Sequence, residues 1–266
     1  MCHMEYPCRC PAESIRSVAI MKGFENLTAH LQSFEVNRKA TVFPSTDERE
    51  AYANAIADCF LPCARAILSG HFVVFDVDGK AVREIFPTAI ELYYHEEKEG
   101  GFKDPIMYHT NDRKKTDGTS YFATREIDKV PYFPIGSMNP HTSGIDITFE
   151  NPEEQYRAAF LIREYSISFN GGPLIPIKNS TDIYDDLLIY GIPFGDADWI
   201  EWVDGKSPDT LNVVRGWRRN VAQYEEKAPS VWVKKEAPRG KNSFSIGKFT
   251  YAKCPFDWQF RFIQQK

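Results

Sequence analysis

Ala89-Ile90-Glu91-Leu92-Tyr93-Tyr94-His95-Glu96 alternates with a period of two. Side chains point to opposite faces along a strand, so Glu91, Tyr93 and His95 share one face and Ile90, Leu92 and Tyr94 the other. The segment reads as a β-strand and the chain around it as one built on sheet. A carboxylate followed by an aromatic ring on the same face, where the strand runs out into a long loop, suits a pocket for a flat base. The commoner role of glutamate on an exposed strand is solubility, and the segment alone does not choose between the two.

Upstream, Ser45-Thr46-Asp47 offers N-cap side chains, and Glu48 and Glu50 suit the positive end of a helix dipole. Apolar residues recur at Ala53, Ile56, Ala57, Phe60, Ala64, Ile67 and Leu68, a helical spacing that Pro62 kinks or splits and Ser69-Gly70 closes. Strands follow at His71 to Val77 and Val82 to Tyr94, joined at Asp78-Gly79, with Pro87 marking a bulge or a new start. Residues 96–118 are charged and rich in turn formers, and read as a long surface loop.

Further strands are expected at Gly144 to Phe149 and Ala158 to Ser168, ending at Asn170-Gly171-Gly172-Pro173. Short helices are expected at Asp182 to Tyr190 and Leu211 to Gln223, with strands at Ser230 to Lys234, Phe244 to Lys248 and Trp258 to Ile263. Hairpins with a few helices make an α+β protein. One domain is expected over residues 31–266, after an irregular extension at residues 1–30.

The 266 residues carry a net charge of −5, with 42% hydrophobic and 14% aromatic residues, as in ordinary soluble globular proteins. No stretch reaches the roughly 18 apolar residues that span a bilayer, and the N-terminus lacks the features of a secretory signal. A cytoplasmic monomer with no membrane partner is expected. The six cysteines form no disulfide framework; Cys59 and Cys63 fall on the helix, where burial is expected, and Cys254 stands alone. Cys2, His3, Cys8 and Cys10 do not have the spacing of a closed zinc site, so no metal is expected there. Charge is sorted along the chain. Lys206 to Arg261 holds 12 Lys or Arg against 5 Asp or Glu, and residues 181–205 hold seven acidic residues and no Lys or Arg. Whole-chain acidity therefore does not argue against a nucleic-acid partner.

Four more places carry possible chemistry. His109, ending Asp104-Pro105-Ile106-Met107-Tyr108-His109, can stack, donate a proton, bind metal or simply sit on a surface. Asp146 in Gly144-Ile145-Asp146-Ile147-Thr148-Phe149 and Arg163 in Phe160-Leu161-Ile162-Arg163 are charges inside apolar runs. Such charges are tolerated when they pair, here with each other, or when they are functional. Arg215-Gly216-Trp217-Arg218-Arg219, with Lys234-Lys235 and Arg239-Gly240-Lys241, is either a solvated face or a phosphate-binding surface. The phosphate-loop, dinucleotide, zinc-protease, nucleophile-elbow and zinc-deaminase motifs are absent.

Taken in order, these pieces resemble the alkyladenine (3-methyladenine) DNA glycosylases. That family runs helix, hairpin, a strand of the type V-E-T-E-A-Y, an acidic loop ending in His, an aromatic strand, a segment ending in Asn and an L-L-R strand, then R-V-G and P-L-R-F. Here Ala89-Ile90-Glu91-Leu92-Tyr93 stands at the catalytic strand and His109 at the loop histidine. Gly144-Ile145-Asp146-Ile147 stands at the Asn-bearing segment and Phe160-Leu161-Ile162-Arg163 at L-L-R. Ser245-Ile246-Gly247 and Gln259-Phe260-Arg261-Phe262 fall on the last two motifs. The resemblance covers about residues 45–263. It is nearer still to a looser set of bacterial and fungal glycosylase-like proteins with Tyr-His after the Glu and G-x-D-x-T-F.

The resemblance implies a mostly antiparallel curved sheet with flanking helices, and a monofunctional DNA glycosylase that needs no cofactor. Glu91 would activate water, Arg163 would orient the water or Glu91, and Asp146 would read the base edge or share the acid–base work. Tyr93, His109 and Tyr121 would sandwich a base extruded from duplex DNA, and Arg215, Arg218, Arg219 and Lys241 would contact the DNA. Two departures stand out. Asp146 replaces the family's Asn, and the wedge into the duplex has no clear counterpart, leaving Tyr132, Phe133 and Met138 as candidates. The alternatives are a non-catalytic module for modified nucleic acid on the same fold and a hydrolase of free nucleosides.

Overall fold

Pro62 lacks the N–H that a continuous helix requires, and the chain answers by splitting the helix. In this computed structural model α1 spans Thr46–Cys59 and α2 spans Leu61–Ser69, with Phe60 at the joint and Pro62 in the first turn of α2. The structure describes residues 22–29, 46–98, 101–104, 107, 110–111, 131–141, 144–179, 181–187, 199–218, 224–228, 231–234, 249–250 and 258–265.

After Gly70 the chain turns into β1 (His71–Phe75) and the sixteen-residue β2 (Ala81–Glu96), an antiparallel hairpin. Its turn closes on Asp76, whose carboxylate accepts from the N–H groups of Asp78 and Lys80, while Gly79 takes φ 74°. The remaining strands are β3 (Ser137–His141), β4 (Gly144–Thr148), β5 (Tyr156–Phe169), β6 (Ile175–Ile177), β7 (Ile200–Val203), β8 (Val213–Gly216), β9 (Tyr224–Ala228), β10 (Val231–Lys234), β11 (Phe249–Thr250) and β12 (Arg261–Gln264). A short α3 covers Asp182–Leu187.

One curled antiparallel sheet runs β3-β4-β5-β2-β1-β7, with β6 on β5 and β8 joined through β12 to β2; β9, β10 and β11 form a separate three-stranded sheet. β2 organises the large sheet. One edge pairs with β5 throughout, while the other pairs with β1 through residues 81–85 and with β12 through residues 89–91. The molecule is thus α+β, with few helices.

Ile90, Leu92 and Tyr94 face the helices as expected, together with Ile147, Phe160, Ile162 and Phe262, all buried in one core. Phe60 projects from the helix joint into this face, its ring centroid 4.9 Å from Phe149 and 5.9 Å from both Tyr94 and Phe160.

Several expectations are corrected. Leu211 to Gln223 does not begin as a helix: Val213–Gly216 is a strand on β12. Two β-branched valines gain more from that ladder than from an isolated helical turn. The start of the expected surface loop lies inside. Phe102 and Asp104 are buried, and the Phe102 ring packs 4.8 Å from Trp258. The buried Glu96 draws the loop in, accepting from the Phe102 N–H at 3.2 Å. Residues 22–29 belong to the core rather than to a loose extension, because Phe24 and Leu27 are buried and the Trp202 N–H donates to the Lys22 carbonyl. Cys63 is buried but Cys59 is exposed. The strand expected at Phe244 to Lys248 and the Cys2, His3, Cys8, Cys10 cluster lie outside the described residues, as does Cys254. Among the described residues no helix is long and apolar enough to cross a membrane.

Phe60→Ala removes the ring at the helix joint. It is expected to destabilise the fold by about 3–5 kcal/mol, read as a lower midpoint in urea unfolding; an unchanged midpoint would mean that the joint is not packed as described.

Candidate functional site

Register places the polar residues before any side chain is considered. Asn139 pairs with Asp146, Asp146 with Leu161, Leu161 with Glu91, Glu91 with Arg261 and Arg261 with Gly216. Directly opposed residues share a face, so this row lies on the side of the sheet away from the helices. The next row along, Ser137, Thr148, Ala159 and Tyr93, lies on the same face.

Two irregularities complete the arrangement. The ladder between β2 and β5 shifts on both sides of Ala89, which pairs with Glu164 while Ile90 pairs with Ile162 and Pro87 with Tyr165. Arg163 is the extra residue on β5 and Thr88 the extra residue on β2, so of the two outcomes expected at Pro87, a bulge or a new start, the strand takes the bulge. A bulge lets two successive residues point the same way. Arg163 and Glu164 therefore both reach the Glu91 side, and Tyr165 and Ile167 return to the core.

Glu91 is completely buried. Its Oε2 accepts from Arg163 Nε at 2.7 Å and from the Tyr93 hydroxyl at 3.1 Å, and its Oε1 accepts from Arg261 Nη1 at 3.0 Å. Arg163 Nη2 donates to the Tyr93 oxygen at 3.0 Å, and Arg261 Nη2 to Glu164 at 2.7 Å. Burial pushes the Tyr93 phenol up, the Glu91 charge pushes it further, and Arg163 and Arg218 only partly oppose them. Burial works against the Arg163 charge, but Tyr93 and Glu91 more than offset it and the guanidinium is held above its ordinary range.

Behind Tyr93 lies a second buried pair. Arg218 grips Asp104 with both arms, at 2.6 and 3.2 Å, and donates to the Leu92 carbonyl at 3.2 Å. The Asp104 N–H donates to His95 Nδ1 at 3.1 Å. Further along the face, Arg157 bridges two carboxylates, Glu97 at 2.7 Å and Glu150 at 3.1 Å, and lies 4.0 Å from the Tyr132 ring centroid. Glu97 also accepts from the Asn111 N–H and the Tyr132 hydroxyl, both at 2.7 Å. One cation shared by two carboxylates separates them. Burial opposes the Glu97 charge, but the Asn111 N–H and Arg157 prevail and lower its pKa. At Glu150 burial wins over Arg157 and the Phe133 N–H, and with Glu97 and Asp146 nearby the carboxyl is pushed up to about 8.

The expected residues are therefore distributed unevenly. Glu91, Tyr93 and Arg163 meet in one hydrogen-bonded cluster. Asp146 is buried on the same face, two strands from Glu91 and thus about 10 Å away between Cα atoms. Arg163 turns to Glu91, and the Asp146–Arg163 bridge is not among the ion pairs of the described residues. Arg218 is corrected: it is a buried partner of Asp104, not an exposed phosphate contact. Arg215 pairs with Asp58 at 2.9 Å. Tyr132 is held by Glu97 and Arg157, Met138 packs on the core, and Phe133 is half-buried with its N–H on Glu150. His109, Tyr121, Arg219, Lys235, Arg239 and Lys241 lie outside the described residues.

Sequence reading missed Arg261, Glu164 and Asp104. Arg261 had the same signal that exposed Arg163, a charge inside the apolar run Trp258 to Ile263. No protein-family model, no curated protein and no solved structure matches the chain.

The Glu150 shift has a stability consequence. A carboxyl whose folded pKa is raised stabilises the fold at low pH, and that contribution is lost as pH climbs from the ordinary glutamate range through about 8. Glu150→Gln mimics the protonated form, keeping an oxygen for Arg157 and the Phe133 N–H. Its melting temperature is expected to fall less than that of the wild-type protein between pH 6 and 9; parallel pH profiles would exclude Glu150 as the source.

Proposed function

We propose that the protein is a monofunctional DNA glycosylase that hydrolyses the N-glycosidic bond of a modified base extruded from duplex DNA. The observation that carries the reading is Glu91, a buried carboxylate held by Arg163, Arg261 and the Tyr93 hydroxyl on the polar face of the sheet. The order of sequence elements described above adds to it. Extrusion costs about a few kcal/mol, least at a damaged pair. On this reading Glu91 holds a water against C1′ of the sugar, takes its proton, and stabilises the positive charge that develops on the sugar ring. Arg163 positions the carboxylate, because its fork spans Glu91 and Tyr93. Tyr93 stacks on the base, with His109 and Tyr121 as further walls. Asp146 reads a donor on the base edge, and Arg219 and Lys241 bind phosphate. The products are a free base and an abasic site with the strand intact.

A second reading draws on the same cluster. Arg163, Arg261 and the Tyr93 hydroxyl already occupy both Glu91 oxygens and compete with a water for them, which favours a non-catalytic module that only recognises modified nucleic acid on this scaffold.

Duplexes carrying alkylated purines and other modified bases, assayed by mass spectrometry of released base together with binding, separate the two. Glu91→Gln is expected to lose at least about a hundredfold in base release, as expected for loss of an anion that both holds the water and stabilises the developing charge, while binding the duplex as tightly as wild type. Equal release by the variant would remove Glu91 from the mechanism, and wild-type binding without release would favour the module.

Asp146→Asn is expected to change which base is released, lowering the ratio of bases with an exocyclic amino group to those without by roughly tenfold, the scale of one charged hydrogen bond. An unaltered ratio would show that Asp146 does not read the base.

A further inference from the structure

We propose that Arg218 is a positioning residue that fixes the ring of Tyr93, an inference that rests on the base-stacking role given to Tyr93 above. Sequence alone places Arg218 in a basic run, where a phosphate contact is the natural reading. Its surroundings are those of an interior cation instead. The side chain is fully buried, and both arms of the fork are taken by Asp104, itself fully buried. The guanidinium carbon lies 4.9 Å from the centroid of the Tyr93 ring and 5.1 Å from that of Phe260, with Trp258 at 5.9 Å. A desolvated cation over an aromatic face is an oriented contact, because the ring quadrupole attracts it only along the ring normal.

Tyr93 is thereby held in two ways. Arg163 and Glu91 fix its hydroxyl end, and Arg218 fixes the ring itself. With one ring face backed by Arg218, stacking falls to the other, and the ring need not be ordered when a base arrives. Pre-ordering of this kind shows in recognition of the base, not in general affinity for the strand. Arg218 also bonds the Leu92 carbonyl, and Asp104 is drawn to β2 by His95. The same pair therefore sets the start of the segment that leads on to His109. Burial opposes the Arg218 charge, but Asp104 outweighs it and raises the pKa, so the cation persists across the working pH range.

Arg218→Met strands the Asp104 carboxylate in the interior, so Arg218→Lys carries the test. The double replacement Arg218→Met/Asp104→Leu, which leaves no buried charge, serves as the second variant. Each is combined with Tyr93→Leu, and single-turnover base release from an alkylated-purine duplex is measured beside binding of an undamaged duplex across salt concentrations. In the native background the variants are expected to raise the half-saturating concentration for the modified duplex by roughly tenfold, the scale of one oriented cation–ring contact. The maximal rate should change less. In the Tyr93→Leu background they should add no further loss, and undamaged-duplex affinity and its salt slope should stay at the wild-type values. Additive losses would overturn the proposal in favour of a purely structural pair, and a reduced salt slope would restore a phosphate contact. If the wild-type protein neither releases nor prefers any modified base, the glycosylase reading and this role fall together; if it does and the variants match it, this role alone falls.

Discussion

A carboxylate removed from water loses several kcal/mol of hydration, and it stays charged in an interior only where cations and hydrogen bonds replace that hydration. Glu91 imposes this constraint on the large sheet. Arg261 satisfies one oxygen and ties β12 to β2, while Arg163 satisfies the other and does so from a bulge in β5. Without the extra residue, regular alternation would place Arg163 and Glu164 on opposite faces. The bulge gives both to the polar side, so that Glu91, Arg261 and Glu164 form a continuous chain of ion pairs across three strands. Removing either arginine would leave Glu91 with a single cation and one oxygen short of its charged partner in the interior, which destabilises the fold. The geometry of the cluster and the pairing of the strands are thus one problem with one solution.

The same face carries two further ionic groups, Arg218 with Asp104 and Arg157 with Glu97 and Glu150, and each has a structural task besides. Arg218–Asp104 brings residues 101–104 against β2, and Arg157 anchors Pro131 and Tyr132 through its bond to the Pro131 carbonyl and its stack on the Tyr132 ring. Irregular chain has few backbone hydrogen bonds to hold it, and buried charge pairs do that work without regular structure. This explains why the start of a segment rich in charge and turn formers lies inside. Glu96, Glu97 and Asp104 point inward to N–H groups and guanidiniums rather than outward to water.

Periodicity made much of this legible in the sequence. The alternation from Ile90 to His95 separated the core face from the polar face correctly, interruptions at Pro62 and Pro87 followed from missing N–H groups though their form did not, and the hairpin at Asp78-Gly79 followed from turn chemistry. Of the expected cluster, Glu91, Tyr93 and Arg163 come together. The partners of the charges were not legible. Arg163 pairs across a ladder whose register depends on two bulges, and Arg218 was indistinguishable from its basic neighbours because burial is settled by Asp104, 114 residues away in sequence. Local pattern gives a residue its face; only tertiary register gives it a partner.

The chemistry of the cluster turns on a competition. Arg163 and Arg261 occupy lone pairs on both Glu91 oxygens and so compete with a water for the carboxylate, yet they fix its orientation, which counts for electrostatic stabilisation of a cationic transition state. Glycosidic cleavage through an oxocarbenium-like state asks little of the base, because the bond to the leaving group breaks largely before water attacks. A held, oriented anion suits such a reaction better than a strong base would. The arrangement around Glu91 therefore fits the proposed hydrolysis in the property that hydrolysis most needs, a negative charge held in a fixed orientation. The affinity for water that Glu91 gives up to Arg163 and Arg261 is the property that the late attack can spare.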